Sequence, residues 1–210
     1  MSAAEPFDAF RSERLVYRDV EDSPEDKAFV YSIQRDVRVQ SITSYGLLRP
    51  ENKRSSNKFK EHIAEKCILG AIICLPPASE DEVAGKPIGI VCLTANPPHF
   101  AHHRNSEISI NIARAHRGNG YGAEAIMWSL WYGFQMAGLH RMEIHATSFN
   151  FNSISWHKRL GFKEEGRLRE HVWFNGGWHD DIVFGVLEHE WREMSKEARG
   201  YLEYRPDDNS

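Results

Sequence analysis

Residues 113–122 read ARAHRGNGYG and run without a break into AEAIMWSLWYGF at 123–134. Gly118, Gly120 and Gly122 alternate with other residues, Arg117 stands just ahead of them, and a helix-favouring run follows. Successive main-chain N–H groups leading into a helix N-terminus form a concave anion site, and glycines let a pyrophosphate approach the chain. Two other glycine turns match poorly. A Walker loop needs G-x-x-x-x-G-K-[ST], and no lysine or hydroxyl follows Gly122. A dinucleotide fingerprint needs G-x-G-x-x-G after the first strand of a parallel unit, whereas the spacing here is G-x-G-x-G and the strand ahead belongs to a run of strands. Taken alone, the stretch leaves an ordinary glycine-rich turn as the alternative.

Outward from the turn, the pattern is that of one mixed α/β domain. Upstream, SEISINIA (106–113) and RLVYRDV from Arg14 to Val20 alternate as strands, CILGAIICL (67–75) reads as a buried strand, and IGIVCLTA (88–95) as another strand. A helix is expected in SPEDKAFVYSIQRD, with Ser23 as N-cap and Pro24 at its first position, and another from Asn52 through Lys66. Residues 38–50 read as irregular, and 76–87 and NPPHFAHHRN as loops. Downstream, a helix from about Ala123 to Ala137 ends at Gly138, HRMEIHATS is a strand, and NSISWHKRL is a short helix stopped by Gly161. Two long strands about the Asn175–Gly177 turn finish the domain near Trp191, and the charged tail beyond Ser195 is expected to fray. The division that follows is an extension over 1–13, the domain over 14–194 and a tail over 195–210.

Composition narrows the partners. The 210 residues, 41% hydrophobic, suffice for one core, and a net charge of -4 supplies no basic field for nucleic acid. A cationic small substrate is favoured instead. Cys67, Cys74 and Cys92 show no C-x-x-C spacing, which points away from a disulfide framework or zinc site and toward a reducing compartment. No apolar run reaches the roughly 18 residues of a membrane span. The expectation is a cytoplasmic monomer or homodimer with no membrane partner.

The segment EISINIARAHRGNGYGAEAI resembles motif A of the GNAT superfamily of acyl-CoA N-acyltransferases: a strand, Arg/Gln-x-x-Gly-x-Gly/Ala, then a helix. Arg117, Gly118, Gly120 and Gly122 fill that pattern. A second block, NFNSISWHKRLGFKEEGRLRE, is similar to the family's following region through Asn150, Ser153, His157, Gly161 and Phe162. The finish, VWFNGGWHDDIVFGVL, resembles the hairpin of the branch holding ribosomal-protein-alanine, spermidine and phosphinothricin-type acetyltransferases.

The resemblance implies a mostly antiparallel sheet splayed between two strands, acetyl-CoA as cosubstrate without a metal, and direct transfer of acetyl to an amine. The strand at 106–113 is then expected to part from that at 141–148, leaving main-chain groups around Ile110, Asn111 and Ile112 for the pantetheine arm. The pyrophosphate is assigned to residues 117–122, including Asn119 and Tyr121, with help from the helix dipole and the Arg117 side chain. Asn150 and Ser153 are further cofactor contacts.

An amine acceptor needs a base, because its ammonium form has no lone pair. Glu107 stands on the motif-A strand where related polyamine and peptide acetyltransferases carry a glutamate; the alternative is a strand-end residue paired with Arg104. His157 occupies the slot of the family's tyrosine proton donor, as in phosphinothricin-type members, and its alternative is a packing ring. Tyr45, Trp173 and Trp178 are candidate acceptor-site residues, the tryptophans otherwise packing in the hairpin. His99, His102 and His103 crowd one loop, with no carboxylate or cysteine to complete a metal set. The acceptor is an amine-bearing small molecule or a peptide N-terminus. A non-catalytic acyl-CoA-binding or regulatory module is the reading from another class.

Overall fold

The computed structural model describes residues 8–43, 45–79 and 83–197. Its strands are β1 (Val16–Arg18), β2 (Cys67–Cys74), β3 (Pro87–Thr94), β4 (Asn105–Ile112), β5 (Arg141–Thr147), β6 (Lys163–Phe174) and β7 (Gly177–Leu187). They form one sheet in the order β1-β2-β3-β4-β5-β7-β6, antiparallel at every step except β4–β5.

Alternation along the strands builds a core on each face. Ile108, Met142, Ile144, Ala146, Ile182 and Phe184 bury with Ala125, Ile126 and Trp128 of α4 (Tyr121–Trp131), and α5 (Phe151–Arg159) packs on the same side through Ile154 and Trp156. The opposite face buries Ile72, Cys74, Ile90 and Cys92 against α1 (Pro24–Gln34), α2 (Val37–Thr43) and α3 (Lys53–Lys66). The capping chemistry is as the sequence suggests: Ser23 Oγ accepts from Asp26 N at 3.1 Å and Asn52 Oδ1 from Ser55 N at 3.0 Å.

Four boundaries differ from the sequence expectation. The stretch read as irregular opens with α2, because Val39 finds a buried place in the second core. β1 is only three residues long, since Arg14 N and Glu21 N donate to the carboxylates of Glu124 and Asp26 instead of entering a ladder. The loop after β3 contains a short 3-10 helix, Pro98–His103. The last strand ends at Leu187, where Leu187 N donates to Glu190 Oε2 at 3.0 Å and starts α6 (Glu188–Glu197), whose Trp191 packs on Phe134. The expectation of a fraying tail falls, from residue 198 on, outside the described residues.

One register positions everything that follows. β4 and β5 pair only at Asn105↔Arg141, Ser106↔Met142 and Glu107↔Glu143. Beyond Glu107, β4 continues along β3 to Ile112, while β5 continues along β7 to Thr147. The two strands part there and leave a cleft through the sheet.

Candidate active site

The cleft has a volume of about 690 Å³ and runs from the glycine turn to Glu107 and Tyr45. One wall is the open edge of β4. Ala113 N donates to Ile88 O at 2.8 Å, so alternation turns the main-chain groups of Ser109 and Asn111 toward β3 and those of Ile108, Ile110 and Ile112 toward the cleft. Ile110 and Ile112 thus offer an edge to an extended ligand, whereas Asn111 does not. The Asn111 side chain also points away, into a second cavity beneath α1–α3. The Ile112 carbonyl already accepts from Arg117 Nε at 2.8 Å.

At the far end of that edge the chain makes the glycine turn. Gly118 and Gly120 hold φ of 82° and 80°, values in which a side chain is strained, and Gly120 is the N-cap of α4. A Cβ on Gly122 would lie 2.5 Å from the Trp156 ring, so that glycine lets α4 and α5 meet. The first N–H groups of α4 have no partner within the helix, and Gly120, Tyr121 and Gly122 there line the cleft. The Arg117 side chain is committed elsewhere, to Ile112 O and, at 3.3 Å, to Asp36. The Asn119 amide folds back on His116 O and Arg117 O.

The turn is braced from a distance. Glu124, 6% exposed, accepts from Ser12 Oγ at 2.7 Å, Arg14 N at 2.6 Å and Arg14 Nε at 2.8 Å. Arg14 also donates to Asn119 O at 3.0 Å. The segment ahead of β1 is therefore part of the wall behind the turn.

Where β4 and β5 part, the chamber is acidic. Glu107 and Glu143 are paired neighbours, and alternation puts His145 on the same face. Asp181 of β7, 2% exposed, lies against His145 Nδ1 at 2.9 Å through one oxygen and accepts from Tyr45 Oη at 2.7 Å through the other. Burial raises the Glu107 carboxyl above the usual range; the His145 charge opposes this and Glu143 and Asp181 add to it. Burial and the bond to Asp181 raise Tyr45, which stays protonated.

Between the two ends, two buried polar atoms on the cleft wall lack a protein partner: Thr147 Oγ1 and His157 Nδ1. Such atoms suit the polar groups of a bound arm. His157 is 4% exposed, and burial pushes its pKa from 6.5 down to about 4, so the ring is neutral at pH 7. Its face and edge rest on Phe162 and Phe184.

That burial predicts acid sensitivity. From pH 6.5 down toward 4 the unfolded imidazole takes a proton that the folded one refuses, and folding stability falls by up to about 3 kcal/mol; above 6.5 the residue adds no pH dependence. His157→Phe should remove this share, measured as the difference in urea unfolding between pH 7 and 4.5. Equal differences in variant and parent would show that His157 is not the source.

Of the residues singled out from sequence, the cleft gathers Tyr45, Glu107, Ile110, Ile112, Arg117, Gly118, Gly120, Tyr121, Gly122, Asn150, Ser153 and His157. Asn150 and Ser153 are joined by the α5 cap, Asn150 Oδ1 accepting from Ser153 N at 3.3 Å. Asn111 and Asn119 lie outside the lining. So do Trp173 and Trp178, which meet edge to face at 5.1 Å on the exposed hairpin tip. His145, Asp181, Thr147 and Arg14 escaped sequence reading; only the alternation of RMEIHAT hinted that His145 shares a face with Glu143. Arg104, the alternative partner for Glu107, instead donates to Gly138 O at 2.7 Å. Among the described residues no cluster of His, Cys, Asp and Glu is built to hold a metal, and no helix is long and apolar enough to cross a membrane.

Known proteins share this fold. A curated relative, spermidine N(1)-acetyltransferase of Vibrio cholerae, is 31% identical over 94 residues, 45% of this chain and 54% of its own length. The chain spans about half the length of several of the curated relatives it matches. Among solved structures, spermidine N-acetyltransferase from Vibrio cholerae in complex with CoA and spermine superposes with a TM-score of 0.72 at 23% identity, over 85% of this chain and 98% of that one. A GNAT-family acetyltransferase from Bacillus anthracis gives a TM-score of 0.69 at 19% identity, over 86% and 98%. These two likenesses are of fold. The family model for GNAT acetyltransferases matches residues 45–162, a span that holds the parted strands, the glycine turn and α5. With more than half its length inside that match, the chain belongs to the acetyltransferase (GNAT) family.

Proposed function

We propose that the protein moves the acetyl group of acetyl-CoA to a primary amine by direct attack in a ternary complex. The observation that carries this reading is the through-sheet cleft, with an anion-binding turn at one mouth and an acidic chamber at the other. Residues 117–122 would hold the pyrophosphate through main-chain N–H groups, and the Ile110 and Ile112 edge would hold the pantetheine arm. An N–H on that edge would stabilise the oxyanion. Thr147 and His157 would complete their hydrogen bonding on the cofactor. The neutral, buried His157 suits a hydrogen-bonding contact near sulfur better than a store of protons.

Glu107 is the proposed base for the acceptor ammonium. Its raised pKa brings its proton affinity closer to that of the amine, and Glu107, Glu143 and Asp181 together attract a cation. Relatives named for spermidine support a small amine over a peptide N-terminus. Thiol release from acetyl-CoA, followed with spermidine, lysine and an alanine-initiated peptide, tests the proposal. Amine-dependent release is expected, fastest with the small polycation. Tight acetyl-CoA binding with no release for any amine would favour the binding-module reading.

A further inference from the structure

Forming an amide from an ammonium removes two protons from one nitrogen. The first must leave before attack, because R–NH₃⁺ has no lone pair; the second leaves the tetrahedral adduct, whose nitrogen has become cationic by forming the C–N bond. As the C–S bond breaks, its electron pair stays on sulfur, and the thiolate takes one proton. The adduct carries its second proton before any thiolate exists to take it, so a second base acting at that stage has a place in the sequence.

The chamber holds a second base that the reading of Glu107 does not use. His145 lies two residues beyond the last β4–β5 pair, on the face of Glu107, so it stands where the strands open. Both residues line the cleft. Its Nδ1 is 2.9 Å from a buried oxygen of Asp181, and a neutral imidazole bonded to a carboxylate there must carry its proton on Nδ1. The lone pair is then on Nε2. Asp181 is itself fixed by Tyr45 Oη at 2.7 Å and by its place on β7 beside Thr147. The charged and titratable groups around His145 are Glu107 on β4, Glu143 on its own strand, Asp181 on β7, and Tyr45, with His171 of β6 edge-on to Tyr45 at 6.0 Å.

We propose that His145, with Asp181 as its positioning residue, is a second catalytic base that takes the second proton from the acceptor nitrogen. This rests on the acetyl-transfer reading. Glu107 takes the first proton, the amine attacks, and His145 Nε2 takes the second from the adduct. One of the two protons ends on CoA sulfur and the other leaves to solvent, so the count closes at one amide, one thiol and one released proton.

The test combines kinetics with a readout that needs no turnover. With spermidine as the probe amine, or the panel amine that turns over fastest, His145→Gln is expected to lower kcat about 100-fold while KM for acetyl-CoA stays within about 2-fold. His145→Ala should lose as much and recover in part with added imidazole, which a structural role would not produce. Asp181→Asn, nearly isosteric, should shift the proton to Nε2 and lower kcat at least as far. Long-range proton–nitrogen NMR should then report the Nδ1–H tautomer for the parent and Nε2–H for Asp181→Asn. A parent-like kcat in a folded His145→Gln, or loss in His145→Ala that imidazole never restores, overturns the role of His145 alone. No turnover by the parent with any amine overturns it together with the proposed function.

Discussion

Gly120→Asp is expected to abolish acetyl-CoA binding in a protein that still folds. Gly120 has φ of 80° at the start of α4, and a Cβ there would lie 3.3 Å from an Arg14 nitrogen. Left-handed backbone costs an ordinary residue about 1 kcal/mol, which a whole domain tolerates. Arg14 can also accept the new carboxylate as a partner. The cofactor has no such compensation, since a fixed negative charge would occupy the turn assigned to its pyrophosphate. Calorimetry should find affinity reduced at least about 100-fold, some 2.7 kcal/mol, with melting close to the parent's. Gly120→Ala separates strain from charge and should lose far less. Near-parent affinity in a folded Gly120→Asp protein would show that the pyrophosphate lies elsewhere.

Glu107→Gln should lower kcat/KM by about two to four orders of magnitude below the acceptor's pKa, and by much less at high pH where free amine is abundant. The direction follows from the carboxylate having to be ionised to accept a proton. Because burial raises its pKa, the parent should also lose activity on acidification at a higher pH than an ordinary carboxylate would set. A loss that is constant across pH would leave Glu107 a structural or substrate-binding residue. The experiment is independent of His145, whose variants keep Glu107 intact.

The parts of the site that sequence revealed are those written in a local grammar. A glycine at positive φ feeding a helix, and Asn150 capping α5 three residues before Ser153, each fit within one turn of chain. The strand alternation that identified β4 and β5 also announced two faces. What sequence could not express was which strand edge stayed open: Asn111 was grouped with Ile110 and Ile112, yet the β3 register turns it away. Nor could it join His145 to Asp181, 36 residues apart and each an unremarkable polar residue on a strand. α2 was missed because VRVQSIT is rich in β-branched residues, and its helix depends on Val39 finding the core. Trp173 and Trp178 are adjacent across the hairpin, but that contact is made at the tip and brings them no closer to the cleft.

The brace behind the glycine turn sets an order of events during folding. Arg14 and Glu124 are separated by 110 residues, so their contact closes a loop over more than half the chain and carries a large entropic cost before any return. Three of the turn's six residues over 117–122 are glycine, which lose the most conformational freedom on ordering, so local bonds alone hold its shape weakly. A contact of this span is expected to form late, after α4 and the strands around it have condensed, because its loop-closure cost comes before its return. On the proposed assignment of the pyrophosphate to this turn, a nascent chain would acquire its anion site only when its first strand has found its place beside the finished helix, and acetyl-CoA binding would report on completed folding.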